Sequence, residues 1–400
     1  MGRLFFSILA MTLSAAAAPS FYKDVLPLFQ AHCQSCHRAG EAAPMALTDY
    51  ATARPWAKAI QQAVVERAMP PWFADPHVGK FSNDARLADS EIATISEWVN
   101  AGAPEGDSKD APQPVAWVPG WKIGAPEIVI EMPHEVEVPV SGTLGYKYVT
   151  VPTNFKEDTW VRLAEVRPGD RAHTHHIVVS VKEPGSQEQG EFLAGYGPGS
   201  VPEMLGAGQA KLIKAGSELV FQLHYTTDGK PGRDRSRVGL ILAHEKPRER
   251  VMELAAANVR FAVPAGDPDY RVEARVTLYE DATLVSLLPH MHLRGKSFEF
   301  RVAYPDGRKE TLLTVPRYSY DWQLSYYLDR PLRLPQGSTI ECTAHFDNSP
   351  NNPRNPDPAK TVRFGAQSWD EMMIGYFEVA VDPRFGMRDL LLARPGDSDR

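Results

Sequence analysis

Residues 172–181, AHTHHIVVSV, decide how the rest of the chain is read, because three histidines crowd the start of a β-branched run. Ile177, Val178 and Val179 favour an extended strand, and imidazole is the commonest metal ligand, so the stretch reads as a rigid strand carrying candidate ligands. Three later segments read the same way: FQLHYTT (221–227) around His224, LLPHMHLRGK (287–296) with His290 and His292, and WDEMMIGYF (369–377) with Met372 and Met373. Short alternating runs such as KYVTVP (147–152), YRVEARVTLY (270–279) and STIECTAHF (338–346) surround them, punctuated by turn residues at β-sandwich spacing. The 34 prolines and 29 glycines suit such a turn-rich β protein better than a helical one. A break near Glu245–Arg250 separates two sets of strands, which gives a first β-sandwich over 121–247 and a second over 248–400.

Upstream the pattern differs. Four hundred residues exceed what one core usually serves, and a formal net charge of -7 argues against a nucleic-acid binder. Residues 1–18 carry Arg3, an apolar run from Leu4 to Leu13 and small residues at Ala15–Ala18, the pattern of a secretory signal peptide. The run is too short to cross a bilayer and no later stretch is long and apolar enough. A periplasmic or secreted chain with no transmembrane segment is therefore expected.

Three cysteines make no disulfide framework. Cys33-Gln34-Ser35-Cys36-His37 instead has the Cys-x-x-Cys-His form of covalent c-type haem attachment, with His37 as axial iron ligand. A thioredoxin-like redox pair would want a βαβ context, whereas FYKDVLPLFQAHC (21–33) and DSEIATISEWVNAGAP (89–104) have helical spacing, the latter with Ile92, Ile95, Trp98 and Val99 on one face. The sixth iron position falls to Met69 in AMPPW, with Met45 or an open site as the alternatives; a thioether there raises the reduction potential. The segment resembles a small class I cytochrome c, which implies an all-α domain over 19–107, with Trp56, Trp72 and Trp98 packed around the haem. Residues 108–120, rich in proline and charge, read as a linker.

In an extended strand His290 and His292 point the same way, a preformed two-nitrogen pair. A thioether from Met372 would make the set soft enough for Cu(I) and too neutral for Mg or Ca. His175 and His176 are adjacent, so a bulge or different ring nitrogens are needed before they share a metal. With His224 they form an all-imidazole set that does not separate copper from zinc.

Taken in order, His-His, His-Tyr, His-x-His and Asp-Glu-Met resemble the copper type II monooxygenases that include peptidylglycine α-hydroxylating monooxygenase and dopamine β-hydroxylase, over roughly residues 121–390. The resemblance implies two antiparallel jelly-roll sandwiches and two copper ions: an electron-transfer copper at His175, His176 and His224, and an oxygen-activating copper at His290, His292 and Met372. It also implies a substrate pocket lined by Tyr376, a small organic substrate and dioxygen, while the fused haem suggests electrons delivered to the copper sites and resupplied to the haem by an external donor. Three positions depart from the animal enzymes: Leu288 replaces a carboxylate-binding arginine, Met373 a disulfide cysteine, and Cys342 is left without a mate. The other function class open to the chain is a non-catalytic copper and haem protein for electron transfer or metal handling.

Overall fold

The computed structural model describes residues 18–392 except 40, 42, 118, 119, 143, 187–189 and 198–201. The expected signal peptide, apart from Ala18, lies outside the described residues. The chain forms two compact units, one of residues 1–70 and 86–115, the other of residues 71–85 and 116–400.

In the first unit a π-helical turn, Phe21–Val25, runs into the helix Leu26–His32, which ends at Cys33. Further helices are Tyr50–Ala53, Ala57–Val65 and Asp89–Asn100. Asp49 caps the Tyr50 helix by accepting from Thr52 N–H at 2.9 Å, and Glu91 accepts from Ala88 N–H at 2.7 Å at the start of the longest one. Phe21, Phe29, Ile95 and Trp98 are fully buried in the core of this unit.

The expected all-α cytochrome c domain is overturned. The helices are short, and 37% of the described residues are in strands and 13% in helices. Prolines explain part of the shortfall, since Pro44, Pro70, Pro71 and Pro76 fall where a helix would have to continue and each removes a backbone donor. Residues 71–85 contain no helix and belong to the other unit. There Trp72 packs on Tyr326 at 4.8 Å between ring centroids, Asp75 N–H donates to Thr314 O, and Phe81 bridges to Leu328. Trp72 is thus no haem-packing residue of the first unit, and Trp56 is 43% exposed.

The second unit is built of strands. An eight-stranded sheet runs in the order Ile128–Glu131, Arg237–Leu242, Thr159–Arg167, Gln209–Ile213, Glu249–Asn258, Met373–Val381, Ala282–His290, Tyr326–Leu334. Two four-stranded sheets accompany it. One orders Lys147–Pro152, Glu218–Tyr225, Thr174–Lys182 and Glu191–Tyr196; the other orders Tyr270–Thr277, Thr339–Phe346, Gly295–Ala303 and Lys309–Val315. Alternation does the sorting: Glu218–Tyr225 buries Leu219, Phe221, Leu223 and Tyr225 and leaves the residues between them half-buried.

Two separate sandwiches are also not what forms. One sheet is continuous through both halves, because Gln209 and Ala210 pair in parallel with Glu249 and Arg250. A buried ionic staple lies at this junction. Lys211 Nζ donates to Glu378 and Glu203 at 2.8 Å each, and Ser286 Oγ donates to the other Glu378 oxygen at 2.7 Å. Two hydrophobic cores result, one around Ile177, Val179, Phe221 and Leu240, the other around Leu254, Leu287, Phe300 and Phe377. Among the described residues, no helix is long and apolar enough to cross a membrane.

Candidate metal centres

His176 and His224 face each other across neighbouring antiparallel strands, and the register slips between Thr174 and His176. That irregularity is the bulge two adjacent ligands require, and it turns His175 toward the same side. The ligand-capable nitrogens of His175, His176 and His224 all lie within 4.8 Å of one another. His175 Nδ1 and His176 Nδ1 are 3.1 Å apart, and His224 Nδ1 is buried with no hydrogen-bond partner. Imidazole nitrogens converging this closely, with His224 Nδ1 buried and unpartnered, fit a shared cation. Burial lowers all three rings, His175 against the opposing charge of Asp321 and the other two with help from neighbouring imidazoles, His224 to about 4 and His176 well below the usual value. Tyr146 closes one side, its ring 5.0 Å from His224 and 5.7 Å from His176.

His173, three residues from His176, has a different fate. Its Nδ1 bonds Asp170 at 2.6 Å and its Nε2 bonds Asp228 at 2.9 Å. Burial alone would lower this ring, but the two carboxylates outweigh it and raise it. Both nitrogens are used, so it anchors the strand start instead of offering a lone pair.

The second group gathers at the end of Ala282–His290. The rings of His290 and His292 are 5.3 Å apart and perpendicular. Each is oriented through Nδ1: His290 donates to Gln323 Oε1 at 2.7 Å, and His292 to Asp370 O at 3.2 Å. This assignment leaves Nε2 as the ligand atom on both rings, and His292 Nε2 is buried without a partner. Burial, with His290 beside it, lowers His292 to about 3; burial lowers His290 as well.

Met372, half-buried, reaches this group through its neighbour. The Glu371 carboxylate accepts from His292 N–H at 2.9 Å on one oxygen and from Arg294 N–H at 2.6 Å on the other. It thereby ties the His-x-His turn to the Asp-Glu-Met segment. Burial pushes Glu371 up to about 8 against the pull of these donors and the Arg294 guanidinium. Arg294 is itself buried and holds Asn348 Oδ1 and Trp369 O. Tyr376 packs 6.0 Å from His290, and its register partner on Ala282–His290 is Leu288.

Sequence reasoning missed the loop of residues 316–325, PRYSYDWQLS. Tyr318 Oη donates to Met291 O at 2.7 Å and accepts from Met291 N–H, and Gln323 orients His290. Tyr320 stacks on His175 at 5.7 Å and stands edge-on to His292 at 6.3 Å. Its density of aromatic and amide side chains was the available signal.

In the first unit the Cys33–His37 turn closes by Cys36 N–H and His37 N–H donating to Cys33 O. Both cysteines are free and half-buried. Burial lowers His37, against a backbone contact from Met45. Free thiols beside a ring kept neutral suit the donor set of c-type haem attachment. Met69 is half-buried in the turn after Ala57–Val65.

No known family model matches the chain, and no curated protein matches it. Among solved structures it is similar to the VP2 subviral particle of infectious bursal disease virus at 11% identity and a TM-score of 0.20, covering 69% of this chain and 76% of that one. PBCV-1 VP54, fitted into a reconstruction of the virophage Sputnik, gives 9% identity and a TM-score of 0.24, covering 67% and 97%. Scores this low carry neither a fold nor a functional assignment.

Proposed function

We propose that the chain is a periplasmic copper-dependent monooxygenase that hydroxylates a C–H bond of a small organic substrate with dioxygen. In this reading the electrons enter through a c-type haem held by Cys33, Cys36 and His37, with Met69 as second axial ligand. The observation that carries it is the convergence of five histidine rings in one unit, with His224 Nδ1 and His292 Nε2 buried and unpartnered. Isolated buried histidines satisfy both nitrogens, as His173 does; these five are arranged as two ligand sets.

His175, His176 and His224 would hold one copper ion, and His290, His292 and Met372 the other, the thioether favouring the reduced ion. Copper, when bound, supplies the one-electron steps of dioxygen reduction. The chain's own part is positional. Gln323 and the Asp370 carbonyl fix each ring so that Nε2 is left free to ligate, and Glu371 holds the methionine segment against the histidine turn. Leu288 and Tyr376 share the sheet face that carries His290, a stretch of wall to which neither brings a cationic group. That wall suits a neutral substrate and gives a carboxylate nothing to bind.

The test is the copper and iron content of protein exported with haem maturation intact, followed by oxygen uptake. About two coppers and one iron per chain, with one copper lost in Met372→Leu or His290→Ala, is the expected result. Zinc, or iron alone, would overturn it. Two coppers with no substrate-dependent oxygen uptake across a panel of neutral organic compounds would instead favour a non-catalytic copper and haem protein.

A further inference from the structure

We propose that Tyr320 is the positioning residue that fixes the separation of the two histidine clusters, with a single phenol ring lying between His175 and His292. The inference rests on the metal reading of both clusters and goes beyond the ligands that reading names.

The ring is nearly parallel to His175, at an interplanar angle of 18°, and perpendicular to His292, at 87°. It therefore offers a face to one cluster and meets the other edge-on, the two arrangements that aromatic rings favour. Its side chain is buried. The loop that carries it is fastened to the second cluster on both sides, by Tyr318 to the Met291 backbone and by Gln323 to His290. Asp321 adds a fork to Arg354. Tyr320 is thus anchored to one cluster by its own loop and touches the other only through its ring, which is the construction of a spacer.

An electron that leaves a copper(I) ion at the first cluster and reduces a copper(II) ion at the second would cross this one ring. In that exchange one ion would lose the electron that the other gains, so the balance closes with no change at the phenol.

The experiment uses the full chain loaded with copper(II) at both clusters, and pulsed dipolar electron paramagnetic resonance to read the copper–copper distance. The wild type and Tyr320→Phe should give one narrow distribution, and Tyr320→Ala a broadened or longer one. Tyr320→Leu, which keeps most of the volume and removes the stack, should follow Ala and stands in for it should Ala fail to fold. An Ala or Leu distribution that matches the wild type overturns the proposal. A wild type that binds no copper defeats the monooxygenase reading instead. In that case the same comparison is made without metal, between spin labels on Tyr148→Cys and Arg301→Cys, at exposed positions on either half. Matching label distances in the wild type and Leu variant then overturn the spacer role.

Discussion

A histidine crowded by other buried imidazoles stays neutral, and neutrality makes it both a ligand and a liability. For His224, held at about 4, and His292, at about 3, the folded value lies below that of the unfolded chain, about 6.5. Below pH 6.5 the unfolded state therefore takes up protons first, and folded stability falls as the pH drops through the window down to the folded values. For His224 alone the loss is on the order of 3 kcal/mol once the pH passes below its folded value. Thermal melts of the metal-free protein from pH 7 to 4 should show a steep fall in Tm, shallower in His224→Gln; equal slopes would contradict it. That these histidines gather was legible from sequence, including the need for a bulge at His175, because strand periodicity dictates where adjacent side chains point. Tyr146 and Tyr320 were not, since their contacts to the histidines come from distant loops that no periodicity predicts.

At the scale of the element, the Asp-Glu-Met segment depends on one carboxylate. Each Glu371 oxygen accepts one backbone N–H, from His292 and from Arg294, in a fully buried setting. In Glu371→Gln one of those N–H groups meets an amide donor and is left unsatisfied, which costs about 1–3 kcal/mol. The disturbance falls on residues that orient ligands, where such changes typically cost about 10–100-fold in metal affinity. Copper titration of Glu371→Gln should therefore show one weakened site and one unchanged; two unchanged sites would remove Glu371 from this role. The strands around the segment were readable because their burial alternates, as in Thr339–Phe346. The N-terminal helices prove shorter than apolar spacing suggests: that spacing marks a helical face but not the C-cap at Glu66 or the left-handed Arg67 that ends Ala57–Val65. That Trp72 and Phe81 pack against Tyr326 was beyond local pattern, because strand pairing far downstream builds the surface they cover.

At the scale of the whole molecule, two joins carry the functional reading. The first is the Lys211–Glu378 pair, which crosses between the β halves and keeps their histidine clusters on one scaffold. Neither partner stands out in sequence, since each is the lone charged residue of its strand. The second join is covalent. The chain passes between the unit holding Cys33, Cys36 and His37 and the unit holding the histidine clusters at residues 70–71, 85–86 and 115–116. Three tethers make any electron exchange between them intramolecular, which has a kinetic signature. In the monooxygenase reading, hydroxylation would consume two electrons while one haem carries one, so an external donor would have to recharge the haem within each turnover. With dioxygen excluded, chains prepared with ferrous haem and copper(II) should lose the ferrous absorption bands without added oxidant. The rate should be independent of protein concentration, because a tethered reaction is first order. Replacing His224 with Gln should slow this reoxidation while leaving haem attachment intact, since His224 belongs to the cluster read as the electron-transfer site. Haem that stays ferrous, or a rate that rises with protein concentration, would show that the haem does not serve the copper sites of its own chain.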